Sequence, residues 1–291
     1  MKGLTAEVGA WLEQGAFARV DGVDVFYRVA GGDRPDLPWL VCFHGFPTSS
    51  WAWHSLLPQL QKAHRVLVFD FPGYGLSAKP PERDYSLKRQ LDASEALLHQ
   101  LQIRAFDLLT HDMGNSVGCE LLRRRERGDY PFELRSLSLL NGGIYMELHH
   151  ALFTQKLLRT PGVGAVAARL TSWRLFRRQY PNVYANPSQF DEQHYRSQWS
   201  LMLHNGGRRV LHRIAGYMKE RTRMGERWTG PLERLDLPLR VIWGDRDPIA
   251  VYAIAQRLCS RNPRAALHTL KGVGHYPQLE APRRVAEALG F

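Results

Sequence analysis

At 291 residues and 44% hydrophobic, the chain can fill one large core plus an inserted subdomain, with no apolar run near the roughly 20 residues of a membrane helix. Glu7 and Glu13 interrupt the apolar N-terminus, so no secretory signal is read, and unpaired Cys42, Cys119 and Cys259 suit a reducing compartment; a cytoplasmic location is expected. The charge of +11 is mostly arginine, at Arg123 to Arg125, Arg174, Arg177 and Arg178, Arg208 and Arg209, and Lys219 to Arg227; no aromatic-interleaved motif accompanies it, which excludes a nucleic-acid partner and leaves a solvated surface or a weak contact with anionic membrane.

The first predicted elements are strands over Phe17–Val20 and Val23–Val29, joined by Asp21-Gly22, a two-residue hairpin signal. Trp39–Phe43 is a continuous apolar run suited to a strand buried on both faces, and it ends at His44-Gly45-Phe46-Pro47. A helix over Trp51–Gln61, a strand over Arg65–Phe69, the turn Asp70–Ser77 and a helix over Leu87–Leu101 follow. Next come a strand over Phe106–Thr110, a helix over Asn115–Arg127 and a strand over Leu134–Leu140. Between residues 143 and 230 the pattern changes to arginine-rich helical segments broken at Pro161-Gly162, Pro181, Pro187 and Gly206-Gly207. Alternation resumes with Leu239–Trp243, Val251–Leu258, Ala266–Leu270 and a last helix from Ala281.

This order predicts an α/β protein with a mostly parallel eight-stranded sheet flanked by helices. Residues 1–142 and 231–291 form the core, and residues 143–230 form an inserted helical cap. The active site is expected at the carboxyl ends of the strands, beneath the cap.

The decisive segment is Leu108-Leu109-Thr110-His111-Asp112-Met113-Gly114, where an apolar strand meets a helix at a carboxylate flanked by small residues two positions away on either side. This is the strand-to-helix elbow of the α/β-hydrolase fold, with Asp112 as nucleophile in place of serine. A carboxylate attacks without first losing a proton, so it can displace a leaving group from a saturated carbon and form an ester with the protein. Substrates with an electrophilic sp³ carbon, such as epoxides or alkyl halides, are therefore expected.

The fold orders its catalytic groups as nucleophile, acid, histidine. His275, in Gly272-Val273-Gly274-His275, is the expected base. Asp245 and Asp247 both follow the strand after the cap, and either could orient the imidazole; the Gly-x-x-Asp spacing from Gly244 favours Asp247. The amides of Phe46 and Met113 are expected to form the oxyanion hole, while His44 and His111 brace their loops. Asp70 to Ser77, Asp-x-x-Gly-x-Gly-x-Ser, reads as a structural turn, since no Gly-x-x-x-x-Gly-Lys phosphate cradle follows.

Together these motifs resemble the epoxide hydrolase and haloalkane dehalogenase branch of the α/β-hydrolases. Residues 44–50, the Leu-Leu-x-His-Asp-x-Gly elbow, Ser138 to Ile144, Gln155 to Leu158 and His275 to Glu280 are similar, more narrowly, to the mesoderm-specific transcript proteins. The wider resemblance implies halide binding by a tryptophan after the nucleophile in dehalogenases; this chain has Met113 there, leaving Trp173 or Trp199 as halide donors. In epoxide hydrolases it implies cap tyrosines that donate to the ring oxygen, and Tyr217 and Tyr184 are the expected pair. The reading is an epoxide hydrolase acting on a small hydrophobic substrate, with no metal or organic cofactor. Its alternatives are a haloalkane dehalogenase, a strained-lactone or activated-ester hydrolase, and a non-catalytic receptor or interaction protein on the same scaffold.

Overall fold

The apolar runs become strands because side chains alternate across a sheet that is buried on both sides. In the computed structural model, which describes residues 3–291, β1 (Ala16–Val20) and β2 (Val23–Ala30) form the expected hairpin. Asp21 and Gly22 take φ of 53° and 75° at its turn, as the primed hairpin turns require. The remaining strands are β3 (Trp39–Phe43), β4 (Arg65–Phe69), β5 (Ala105–His111), β6 (Glu133–Leu140), β7 (Leu239–Gly244) and β8 (Ala265–Leu270). They form one eight-stranded sheet in the order β1-β2-β4-β3-β5-β6-β7-β8. Only the pairings of β2 with β1 and β4 are antiparallel.

Period-two alternation divides the core. Val41, Phe43, Leu67 and Phe69 join one hydrophobic cluster, whereas Leu40, Cys42, Val66 and Val68 join the other. In register, Phe43 lies beside Thr110, and His111 beside Leu140. The loops after β3, β5 and β6 therefore open onto one spot at the carboxyl edge, where ligands bind in open α/β sheets.

Two local expectations change. The helix over Trp51–Gln61 is instead a 3-10 turn, Ser50–Trp53, and a single helical turn, Leu57–Leu60. Pro58, without an N–H, can sit only in the first turn of the second piece and cannot continue the first. The helix after the elbow runs over Met113–Glu126, starting right behind Asp112.

Between β6 and β7 the chain is helical, with Phe153–Leu158, Val163–Leu170, Trp173–Gln179, Glu192–Leu203, Gly207–Ile214, Tyr217–Met224 and Glu226–Glu233 as its main helices. The expected cap boundary at residue 230 falls inside the last of these. That helix packs on Met113–Glu126, with Trp228 Nε1 donating to Glu120 Oε2 at 2.7 Å, so it belongs to the core's flank. Among the described residues no helix is long and apolar enough to cross a membrane.

Candidate active site

The elbow is built by close packing. Asp112 sits at φ 49°, ψ −109°, a sparsely populated conformation held between β5 and its helix. A Cβ at Gly114 would lie 2.4 Å from the Phe43 carbonyl oxygen, and one at Gly45 would lie 2.6 Å from Asp112 Cβ, so glycine alone fits at both positions. Thr110 Oγ1 donates to Asn115 Oδ1 at 2.6 Å and Asn115 Nδ2 to the Leu140 carbonyl at 2.8 Å, tying the turn to β6. Asp112 is only 1% exposed, and the Phe46 amide donates to its Oδ2 at 2.9 Å. Met113 contributes the first amide of the helix, directly behind the carboxylate.

His275 and Asp247 meet as a buried pair, Nδ1 to Oδ2 at 2.7 Å. Every lone-pair direction of Asp247 is used. Oδ1 accepts from the amides of Ile249 and Ala250 at 2.7 and 3.0 Å, and Oδ2 accepts also from Asn141 Nδ2 at 2.8 Å. Asp245 instead accepts from the Gly272 amide at 2.7 Å and braces the neighbouring turn. His111 Nε2 is 2.8 Å from the His275 carbonyl, and His44 Nε2 accepts from the Phe71 amide at 3.1 Å. Both histidines brace loops, as expected.

Electrostatics set the two reactive groups apart. Burial opposes ionisation of Asp112, but His275, Arg221, His111 and the Phe46 amide outweigh it and hold its pKa below the ordinary carboxylate value. Burial likewise opposes charge on His275, yet the Asp247 carboxylate and its hydrogen bond raise that pKa above the ordinary histidine value. Burial, with the repulsion of His275 next, lowers His111 to about 4, so it stays neutral.

The two cap tyrosines part company. Tyr217 packs against Phe46 with ring centroids 5.7 Å apart, and its buried hydroxyl lies within reach of the Asp112 carboxylate without a well-formed hydrogen bond. Burial, and then the nearby Asp112 carboxylate, raise its pKa. Tyr184 does not reach the carboxylate: its hydroxyl is 3.0 Å from His194 Nε2 and 3.5 Å from the Tyr180 hydroxyl. It is held in an aromatic cluster in which the tilted ring of Tyr276 lies 5.3 Å from it and 5.0 Å from His111. Tyr180, rather than Tyr184, lines the apolar cavity of about 90 Å³ that Phe46, Phe176, Leu211, His275 and Tyr276 enclose.

A buried carboxylate, a carboxylate-paired histidine and an amide aimed at the first carboxylate all sit at the carboxyl edge of one eight-stranded sheet. The sequence profile of the Alpha/beta hydrolase family matches residues 40–288. The chain belongs to that family. It is 37% identical over 281 residues to LipZ of Mycobacterium tuberculosis, covering 97% of this chain and 96% of the relative. With the mesoderm-specific transcript protein of Mus musculus it shares 34% identity over 296 residues, or 99% and 88% of the two chains. The crystal structure of the haloalkane dehalogenase DbeA from Bradyrhizobium elkani superposes with a TM-score of 0.81 at 22% identity, covering 94% of this chain and 95% of that one, a likeness of fold.

Two residues of this α/β-hydrolase escape sequence reasoning. Asn141, besides bonding Asp247, accepts from the Gly244 amide at 2.7 Å and presents its carbonyl to the Asp112 amide at 3.0 Å, so it couples the Asp112 and Asp247 loops. Its position right after β6, level with the elbow in the sheet, is the signal that could have found it. Arg221, 3% exposed, comes from the cap helix Tyr217–Met224; its Nε donates to Ser116 Oγ at 2.6 Å and its Nη2 to the Asp112 carbonyl at 3.4 Å. In sequence it is one arginine of a basic run, with nothing to single it out.

Proposed function

We propose that this α/β-hydrolase opens epoxides through a covalent ester on Asp112. The observation that supports the reading is the Tyr217 hydroxyl, buried within reach of the Asp112 carboxylate but held by no well-formed hydrogen bond. A buried donor this weakly satisfied is free to turn to a better acceptor, and the ring oxygen of an epoxide becomes one as it gains charge.

Asp112 is ionised and held at Oδ2 by the Phe46 amide, so its other oxygen attacks a ring carbon. The carbon–oxygen bond breaks and Tyr217 gives its proton to the departing alkoxide, while Tyr184, bonded to His194, takes no part. His275, oriented by Asp247, then takes a proton from water, whose oxygen adds to the Asp112 carbonyl carbon. The Phe46 and Met113 amides carry the oxyanion. Collapse releases the diol, which takes the proton from His275, and the proton left on the carboxyl returns to Tyr217. Water exclusion by the apolar wall strengthens each of these interactions.

Among the described residues no tryptophan lines the cavity, and Trp173 and Trp199 meet edge to face outside it with centroids 6.0 Å apart. Halide release is therefore not the favoured chemistry. Styrene oxide should yield the corresponding diol, and Tyr217→Phe should slow ester formation by about 10²-fold or more. Bromide release from short bromoalkanes without any diol formation would replace the epoxide reading by the dehalogenase one.

A further inference from the structure

Seven large hydrophobic side chains are strongly exposed among the described residues, and five of them, Phe153, Val163, Val166, Leu170 and Leu175, fall in one short stretch of the cap. Phe153 is 72% and Leu170 74% exposed. Val163, Val166 and Leu170 are spaced three and four apart, so they share the outer face of the helix Val163–Leu170. The opposite face, through Gly164 and Ala168, is buried, and this helix packs on Gly207–Ile214 and on Phe153–Leu158. Exposed apolar groups gathered in this way mark an interaction surface.

Charge says what the surface meets. From Leu148 through Phe190 the sequence has no Asp or Glu, yet it carries Lys156, Arg159, Arg169, Arg174, Arg177 and Arg178. Of these, Arg177 alone forms an ion pair among the described residues, with Glu192 at 2.8 Å. A two-fold dimer through this face would set the same unpaired cations against each other. An anionic surface with an apolar interior complements both features, as for amphipathic helices that lie in the lipid interface.

We propose that the helices Phe153–Leu158, Val163–Leu170 and Trp173–Gln179 dock the protein on an anionic lipid bilayer. Leu175 belongs to both surfaces: it is 41% exposed on this face and also lines the apolar cavity that holds His275. Docking thus sets the cavity mouth against the apolar phase, where lipophilic molecules concentrate, and it does so whatever reaction Asp112 performs.

The test is co-sedimentation of the full chain with phosphatidylcholine vesicles, with and without phosphatidylglycerol, at low and raised salt, alongside light scattering for mass. Binding to the phosphatidylglycerol vesicles that weakens with salt is expected. Phe153→Ser/Leu170→Ser and Arg169→Gln/Arg174→Gln should each weaken it about tenfold or more, whereas Arg104→Gln, an exposed cation elsewhere, should not. Absence of sedimentation, equal binding to neutral vesicles at all salt concentrations, or undiminished binding by both double variants would overturn the proposal. So would a dimer that Phe153→Ser/Leu170→Ser dissociates while vesicles fail to bind.

Discussion

Asp112 and His275 face opposite electrostatic demands, met for Asp112 chiefly by His275 and Arg221 and for His275 chiefly by Asp247. Asp112, with a pKa below its ordinary 3.8, remains a nucleophile in acid. His275, with a pKa above its ordinary 6.5, loses its function as a base as pH falls through that raised value. Ester formation should therefore survive between these limits while ester hydrolysis fails, so that a mildly acidic reaction alkylates Asp112 once and then stalls, as intact-protein mass spectrometry would show. Turnover that stays constant down to the carboxylate range would contradict this assignment. Asp247→Asn should slow ester release by about 10²-fold or more, because the imidazole loses the partner that orients it, while Asp245→Asn should change stability only. The placing of Asp112, His275 and Asp247 at one edge of the sheet follows from their motifs and spacing. That of Asn141 and Arg221 does not, since their roles depend on which strand lies beside β5 and on where a cap helix returns, and neither leaves a local pattern.

At the scale of elements, the elbow depends on the contact between β3 and the helix Met113–Glu126. Two glycines of that helix make a controlled comparison. A methyl at Gly114 would press on the Phe43 carbonyl at 2.4 Å, but one at Gly118 would meet Thr110 Cγ2 at an ordinary 3.6 Å. Gly114→Ala should cost about 1–3 kcal/mol in urea unfolding, whereas Gly118→Ala should be neutral or stabilise by about 0.5–1 kcal/mol through helix propensity. Equal effects would mean that the elbow is not packed as described. Strand positions were readable to within a residue or two because runs such as Val66–Phe69 and Leu137–Leu140 have no alternative to burial. The segment after β3 was misread as one helix because the apolar spacing of Trp51, Trp53, Leu56 and Leu57 hides a break that Pro58 and the Asp70 bond to the Ser50 amide, at 2.6 Å, impose.

Across the whole molecule, the proposed nucleophile and the proposed proton donor come from different layers. Asp112 is fixed by the sheet; Tyr217 and Arg221 arrive from the cap, 105 and 109 residues later in the case of the Arg221 bonds to Ser116 and Asp112. The α/β architecture and the helical insertion follow from the alternation of elements, but the reach of a given cap side chain does not. Tyr184 and Tyr217 are both candidates in sequence, Tyr217 the better match, and only packing turns it towards Asp112 and Tyr184 into an aromatic cluster with His194. The central claim, that Asp112 becomes esterified and is freed by attack on its own carbonyl, is tested most directly by a single turnover of styrene oxide in heavy-oxygen water, with enzyme in excess. Peptide mass analysis should find the heavy oxygen in the Asp112 side chain and ordinary oxygen in the diol; heavy oxygen in the diol with an unlabelled Asp112 would contradict the account.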